Sequence, residues 1–263
     1  MPLLDAILPH VLPFGAVLAR LSGLMLFTPL VSSITIPMRV RVLMLLVSTM
    51  CVYPAVATQA AFPTEPTMAA LVPIVFSEVA IGTIIGMLMM LPLYCVQIGG
   101  LLMSQQLGMS LADVVDPSSN AQTELVGQFI SFLAFAAFIA FGGIEMAFAA
   151  VVYSFDAVPM GAIIAGSAPL NLFAGLLASG YELAFRVATP VLCIIFIETT
   201  SMGLIMKTVP QLNILSVGFP IKIMAGLTVL LTGLVYVDSA LQPDVQEAIL
   251  VAVEWASTGG ARG

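Results

Sequence analysis

The sequence predicts an all-α protein of the integral-membrane type, with no enzymatic machinery of its own. Three observations carry that reading. Hydrophobic residues make up 60% of the chain, charged residues only 8%, and the mean hydropathy is +1.14. A soluble domain is about 25% charged, so seven basic and fourteen acidic side chains are too few to clothe the surface of 263 residues. The apolar residues also fall in runs long enough to cross a bilayer, roughly 17–25 residues each. Backbone groups in lipid must pair within their own segment, so such runs are helices. The period-2 alternation of membrane β-strands is absent from them.

Six apolar segments follow in order: 11–31, 40–57, 69–102, 125–152, 170–206 and 221–237. A tail runs from 238 to 263. The whole chain reads as one membrane domain. Residues 1–125 hold the N-terminal helices and a loop at about 104–119, residues 126–240 form helical hairpins, and 241–263 remain as tail. The start, Met1-Pro2-Leu3-Leu4-Asp5, lacks the basic stretch of a secretory signal, so the first segment is expected to be retained. Linkers alternate in charge. Arg39 and Arg41 lie between the first two segments, Lys207 lies between the fifth and sixth, and Lys222 sits at the start of the sixth. The positive-inside rule puts these linkers in the cytoplasm and predicts six crossings with both termini outside.

The third and fifth segments are too long for a simple span. Straight helices of over 30 residues reach about 50 Å, against a hydrocarbon core of about 30 Å. Pro92 or the Gly99-Gly100 pair is expected to break the third, and Pro190 to kink the fifth. Within the third, Gly82 and Gly86 form a small-xxx-small pattern that lets helix backbones approach closely. Its methionines read as core filling or as a deformable lining beside a pore.

Charges inside the apolar runs are the most informative feature. They are Arg20, Glu78, Glu145, Glu182, Arg186 and Glu198. A charge facing lipid at mid-depth costs a few kcal/mol or more, so these groups are expected to face protein or water. Glu182 precedes Arg186 by four residues, the favourable helical orientation. One reading is a polar path or proton relay. The favoured reading is ion pairing between neighbouring helices or subunits.

The stretch Gln106-Leu107-Gly108-Met109-Ser110-Leu111-Ala112-Asp113-Val114-Val115-Asp116-Pro117 is apolar, yet it holds Gly, Pro and two acids. Asp116-Pro117 resists helix continuation, and Ser119 with Gln122 resembles a capping box. A non-helical apolar loop in a membrane protein is covered by protein or lines a cavity. It reads as a gate or plug, with a plain loop as the alternative.

No catalytic constellation accompanies these features. His10 is the only histidine, which excludes a multi-histidine metal centre and leaves a Ser-His-Asp arrangement without support. No phosphate-binding or dinucleotide-binding glycine motif occurs. Cys51, Cys95 and Cys193 lie apart in apolar runs and read as packing residues, with neither disulfide nor metal spacing. A net charge of −7 argues against nucleic acid. No cofactor is expected.

Val209-Pro210-Gln211-Leu212-Asn213-Ile214-Leu215-Ser216-Val217-Gly218-Phe219-Pro220-Ile221-Lys222 resembles the signature of the FliR family, the export-gate proteins of type III secretion. Pro210, Gln211, Asn213, Gly218, Pro220 and Lys222 carry that likeness. So do Leu18-Ala19-Arg20-Leu21-Ser22-Gly23, Pro37-Met38-Arg39, Ser77-Glu78 with Gly82 and Gly86, and Gly100, Gln105, Gly108 and Asp116-Pro117. The Val-Gly-Phe-Pro-Ile-Lys ending looks more like the flagellar branch than the injectisome branch. Two departures stand out. Ser77 replaces a common glycine, and the loop has Leu107, Met109, Leu111 and Val114 where relatives often carry phenylalanine.

The resemblance implies kinked helical hairpins built into a helical heteromeric gate with five copies of FliP and four of FliQ. FlhB and FlhA are implied neighbours, and unfolded flagellar subunits are the implied cargo. It implies a bacterial inner-membrane location at the flagellar basal body, raised toward the periplasmic side. It makes the 106–116 loop a plug. Gly99 and Gly100 are expected to act as a hinge, because glycine tolerates otherwise forbidden dihedrals. A secondary transporter is the runner-up, but the paired inverted repeat expected of one is not seen. A purely structural scaffold is a third reading.

Overall fold

The apolar runs form helices throughout the described residues. The computed structural model describes residues 2–27, 37–57, 68–109, 125–160, 170–209 and 217–258. In order the helices are α1 (Pro2–Phe27), α2 (Met38–Val56), α3 (Met68–Gln106), α4 (Leu125–Ala140), α5 (Gly143–Ala157), α6 (Leu170–Thr208), α7 (Phe219–Thr232) and α8 (Leu234–Thr258). No strand occurs among the described residues. Among the described residues four helices, α1, α2, α3 and α6, are long and apolar enough to cross a membrane alone. The pairs α4 with α5 and α7 with α8 qualify only when joined across a break, so four to six spans are available.

Three expectations change. The third segment is not broken: α3 runs for 39 residues through Pro92 and the Gly99-Gly100 pair. Helix α6 holds the expected kink residue Pro190 inside its length. Neighbouring helices and local adjustments tolerate such residues in membrane helices. The fourth segment, read as one span, breaks at Phe141-Gly142, where Gly142 takes a positive φ of 73° as the N-cap of α5. The tail is helical as far as Thr258. Its Leu241, Val245, Ala248, Ile249, Ala252, Trp255 and Ala256 are buried.

The chain gathers into two compact units, interleaved in sequence. The first holds residues 1–90, 142–175 and 247–263. Its core is built from matching helical stripes. Helix α1 buries Val17, Arg20, Leu21 and Leu24; α3 buries Ile74, Glu78, Ile81, Ile85 and Leu88; α5 buries Ala147, Ala150, Val151, Ser154 and Phe155. Each set follows the i, i+3, i+4, i+7 spacing of one helix face.

Glycine sets how closely α1 and α3 cross. A Cβ on Gly82 would overlap the Arg20 carbonyl and sit 3.0 Å from Leu24 N, and one on Gly86 would lie 2.9 Å from the Leu24 carbonyl oxygen. The small-xxx-small pattern is thus used inside the chain, backbone against backbone.

The second unit holds residues 91–141 and 176–246. Gly99 and Gly100 act there through their missing side chains. A Cβ on Gly99 would stand 2.6 Å from the Ala184 carbonyl oxygen of α6, and one on Gly100 2.6 Å from Gly127 Cα of α4. On α6, Gly180 likewise receives the buried Cys95 of α3. These three contacts seat α3 against α4 and α6 at backbone distance.

Candidate functional site

Arg20 and Glu78 meet at the centre of the first unit, both fully buried. Each sits where its helix stripe calls for a leucine. Arg20 Nε donates to Glu78 Oε2 at 2.6 Å. Nη1 donates to Ser154 Oγ at 2.8 Å, and Nη2 to the Val158 carbonyl at 3.1 Å. The Ser154 hydroxyl spends its own proton on the Val151 carbonyl at 2.6 Å, which leaves its lone pairs for the arginine. The guanidinium carbon also lies 3.7 Å from the centre of the Phe155 ring, a cation–π contact that strengthens without water.

The arrangement does three physical jobs. The carboxylate neutralises the cation in an apolar setting, which a lone buried charge cannot tolerate. The Val158 carbonyl lies just past the end of α5, where the helix dipole favours a cation. The planar fork reaches three directions at once, so one side chain ties α1, α3 and α5. Lysine has neither the plane nor the reach in all three directions.

Other intramembrane charges are arranged differently. In the second unit Arg186 Nη2 donates to Glu182 Oε1 at 2.8 Å, within α6 and largely exposed. Half-buried Glu198 accepts from Thr199 Oγ1 at 3.3 Å. In the first unit Glu145 lies in the opening turn of α5.

The expected gate loop begins at the end of α3, and its first residues are well defined. Gly108 takes a φ of +82°. Its N–H donates to the Gln105 carbonyl at 3.0 Å, and the Met109 N–H to the Ser104 carbonyl at 3.3 Å. This paired pattern around a left-handed glycine is a Schellman cap. Ser104 Oγ also contacts Met109 Sδ at 3.8 Å. The Phe219 ring covers Gly108, leaving no room for a Cβ. Leu107 is fully buried against Gly226 of α7. It is therefore committed to the core of its own unit. Gln106 is exposed at the edge of a cavity of about 630 Å³, beside Thr189, Cys193, Phe196 and Thr199.

Ser110, Leu111, Asp113, Asp116 and Pro117 lie outside the described residues, as do Pro210, Gln211 and Asn213. Of the signature, Gly218 is the N-cap of α7, Pro220 follows in its first turn, and Lys222 is half-buried on it. Ser154, Phe155 and Val158 complete the arginine site and were not singled out from sequence. The only sequence signal was a hydroxyl in the apolar run Val151-Val152-Tyr153-Ser154-Phe155. Phe219, the cover of Gly108, lies in the signature stretch, but nothing local there pairs it with Gly108.

Replacing Gly108 by alanine is expected to lower stability by about 1–3 kcal/mol, because a side chain is forced into a positive φ. A thermal melt of the detergent-solubilised chain measures this. Adding Phe219→Leu removes the overlap and returns only the steric part of the loss.

A family model described as bacterial export proteins, family 1, matches residues 11–248. The chain is 29% identical over 160 residues to the flagellar biosynthetic protein FliR of Bacillus subtilis, covering 59% of this chain and 61% of that protein. It is 25% identical over 218 residues to FliR of Escherichia coli, covering 81% and 80%. It is 24% identical over 229 residues to the surface presentation of antigens protein SpaR of Salmonella typhimurium, covering 86% and 83%. With nearly the whole chain inside that match, the protein belongs to the bacterial export proteins, family 1.

Proposed function

We propose that the chain is a subunit of a flagellar type III export gate, which seals a protein-conducting channel and yields to an unfolded chain in transit. The likeness to flagellar biosynthetic proteins along most of its length carries this reading. FliP, FliQ, FlhB and FlhA are its proposed neighbours, in the inner membrane at the basal body. Nothing in the role calls for a reacting group. The likeness to SpaR keeps an injectisome gate as the second reading.

Helix α6 supports a heteromeric setting. It has 39 residues, or about 58 Å at 1.5 Å each. Fitting that within about 30 Å of hydrocarbon takes a tilt of roughly 60°, beyond the 0–40° that membrane helices adopt. Only nine of its 39 residues are buried within the chain, and it exposes Phe185, Phe196, Ile197 and Leu204. Apolar surface that neither lipid nor the chain itself covers is surface for other subunits. The exposed Glu182–Arg186 pair fits such a contact better than it fits lipid.

In this reading the Gly108 cap anchors the stem of the plug. Residues 110–116 form the seal, and Gly99 and Gly100 let α3 slide across its neighbours when the gate opens. Deleting residues 110–116 leaves the cap and the buried Leu107 in place. The deletion is expected to raise small-ion conductance of the assembled complex in planar bilayers severalfold. Unchanged conductance in a fully assembled complex removes the plug from the proposal.

A further inference from the structure

We propose that α2, unlike α6, faces anionic lipid directly, with the exposed Arg39 seated at the headgroups. This assignment does not depend on the export reading.

Helix α2 has 19 residues, about 28 Å at 1.5 Å each, which matches a hydrocarbon core of about 30 Å. Its apolar residues are spread over every side. Only 17% of it is buried in the chain, by Thr49, Val52 and Val56 along a narrow seam. Met38, Leu43, Val47 and Met50 are 52–72% exposed. A helix apolar all round is either buried in a core or set in a membrane, and α2 is not buried in its own unit.

Its polar groups are placed for lipid. The hydroxyl of Thr49, the buried polar residue of the seam, is spent on the Leu45 carbonyl at 2.7 Å. The charges of α2 are Arg39 and Arg41, both in its first turn. Arg39 is exposed and Arg41 half-buried. Long cationic side chains at the end of a membrane helix reach the interface, where an anionic leaflet attracts them. Helix α6 differs on both counts: it is twice as long, and it exposes Glu182 and Arg186 well inside its length. Length and charge position thus sort two largely uncovered helices, one to lipid and one to protein.

The chain carries a reporter on each helix. Cys51 is exposed on α2, Cys193 is exposed on α6, and Cys95 is buried. Cys193→Ser leaves Cys51 for nitroxide labelling, and Cys51→Ser leaves Cys193. The labelled full chain is assembled with its co-expressed partners in nanodiscs of phosphatidylcholine with phosphatidylglycerol. The Cys51 label is expected to be open to oxygen and closed to a water-soluble nickel chelate, the signature of lipid. The Cys193 label is expected to be closed to both, the signature of protein cover. A Cys51 label closed to both means that a partner subunit occupies α2, and one open to nickel means water. Either result overturns the assignment without touching the export role.

Doxyl-labelled phosphatidylglycerol and phosphatidylcholine then compete for the annulus around Cys51 carrying a bimane. The preference for the anionic lipid is expected to fall about fivefold in Arg39→Gln. An unchanged ratio overturns the headgroup part.

Discussion

Arg20→Leu is expected to cost about 3–5 kcal/mol, because Glu78 is left as an uncompensated buried charge. For a chain of this size that lowers the melting temperature by roughly 10 °C or more. Leucine keeps the α1 stripe apolar but is shorter than arginine, so the loss combines the polar contacts with the space vacated beside Phe155. Arg20→Lys keeps the charge but cannot serve Glu78, Ser154 and the Val158 carbonyl together, and it is expected to fall between wild type and Arg20→Leu. The double variant Arg20→Leu with Glu78→Leu, with Glu78→Leu alone as the remaining corner, tests the cause. Replacing both partners of a buried pair by apolar groups is commonly neutral or stabilising. The double variant should therefore melt well above Arg20→Leu alone, with a coupling of several kcal/mol between the positions. A double variant that melts as low as the single one means that the pair is incidental. Melting of the purified chain in detergent gives all four corners of the cycle.

Gly82→Val is expected to be as damaging by another route. The added Cβ meets the backbone of Arg20 and Leu24, which no rotamer change relieves. Overpacking a well-filled contact costs about 1–3 kcal/mol even where side chains are free to shift. Here α1 and α3 must separate, and the Arg20–Glu78 bond at 2.6 Å spans that crossing. The expected result is a melt at least as low as that of Arg20→Leu and loss of assembly with partner subunits. Gly203 on α6 is the control, since a Cβ there meets nothing within 4 Å. Gly203→Ala should be neutral or stabilising by up to about 1 kcal/mol, the helix preference of alanine over glycine. Equal effects at the two sites would mean that helix propensity, not the crossing, sets the cost at Gly82.

Much of the helical layout was legible because lipid-grade apolar runs leave the backbone one solution. The expected 69–102 and 170–206 segments became Met68–Gln106 and Leu170–Thr208. The misplaced parts have specific causes. Hydropathy passed over 238–258 because Asp244, Glu247 and Glu254 dilute it, although Leu241, Val245, Ala248, Ala252 and Trp255 keep a helical period. It also ran through Gly142, where a turn and not a polar linker ends the helix. One proline was given too much weight: Pro92 lies in a helix that continues past it.

At the candidate site, burial stripes explain why Arg20 and Glu78 are pointed inward. That they meet each other, and Ser154 from 134 residues away, is set by the crossing of three helices and is written in no local pattern. The left-handed conformation of Gly108 had a readable signal, a glycine at the end of an apolar helix. The Phe219 ring above it did not.

The central claim is that the chain works as one part of a heteromeric export gate. Native mass spectrometry tests it most directly, on complexes captured through an affinity tag on this chain from membranes of cells expressing the whole export operon. The account predicts one copy of this chain in a large assembly with five FliP and four FliQ subunits. Recovery of the chain alone, or as an assembly of its own copies only, would contradict it.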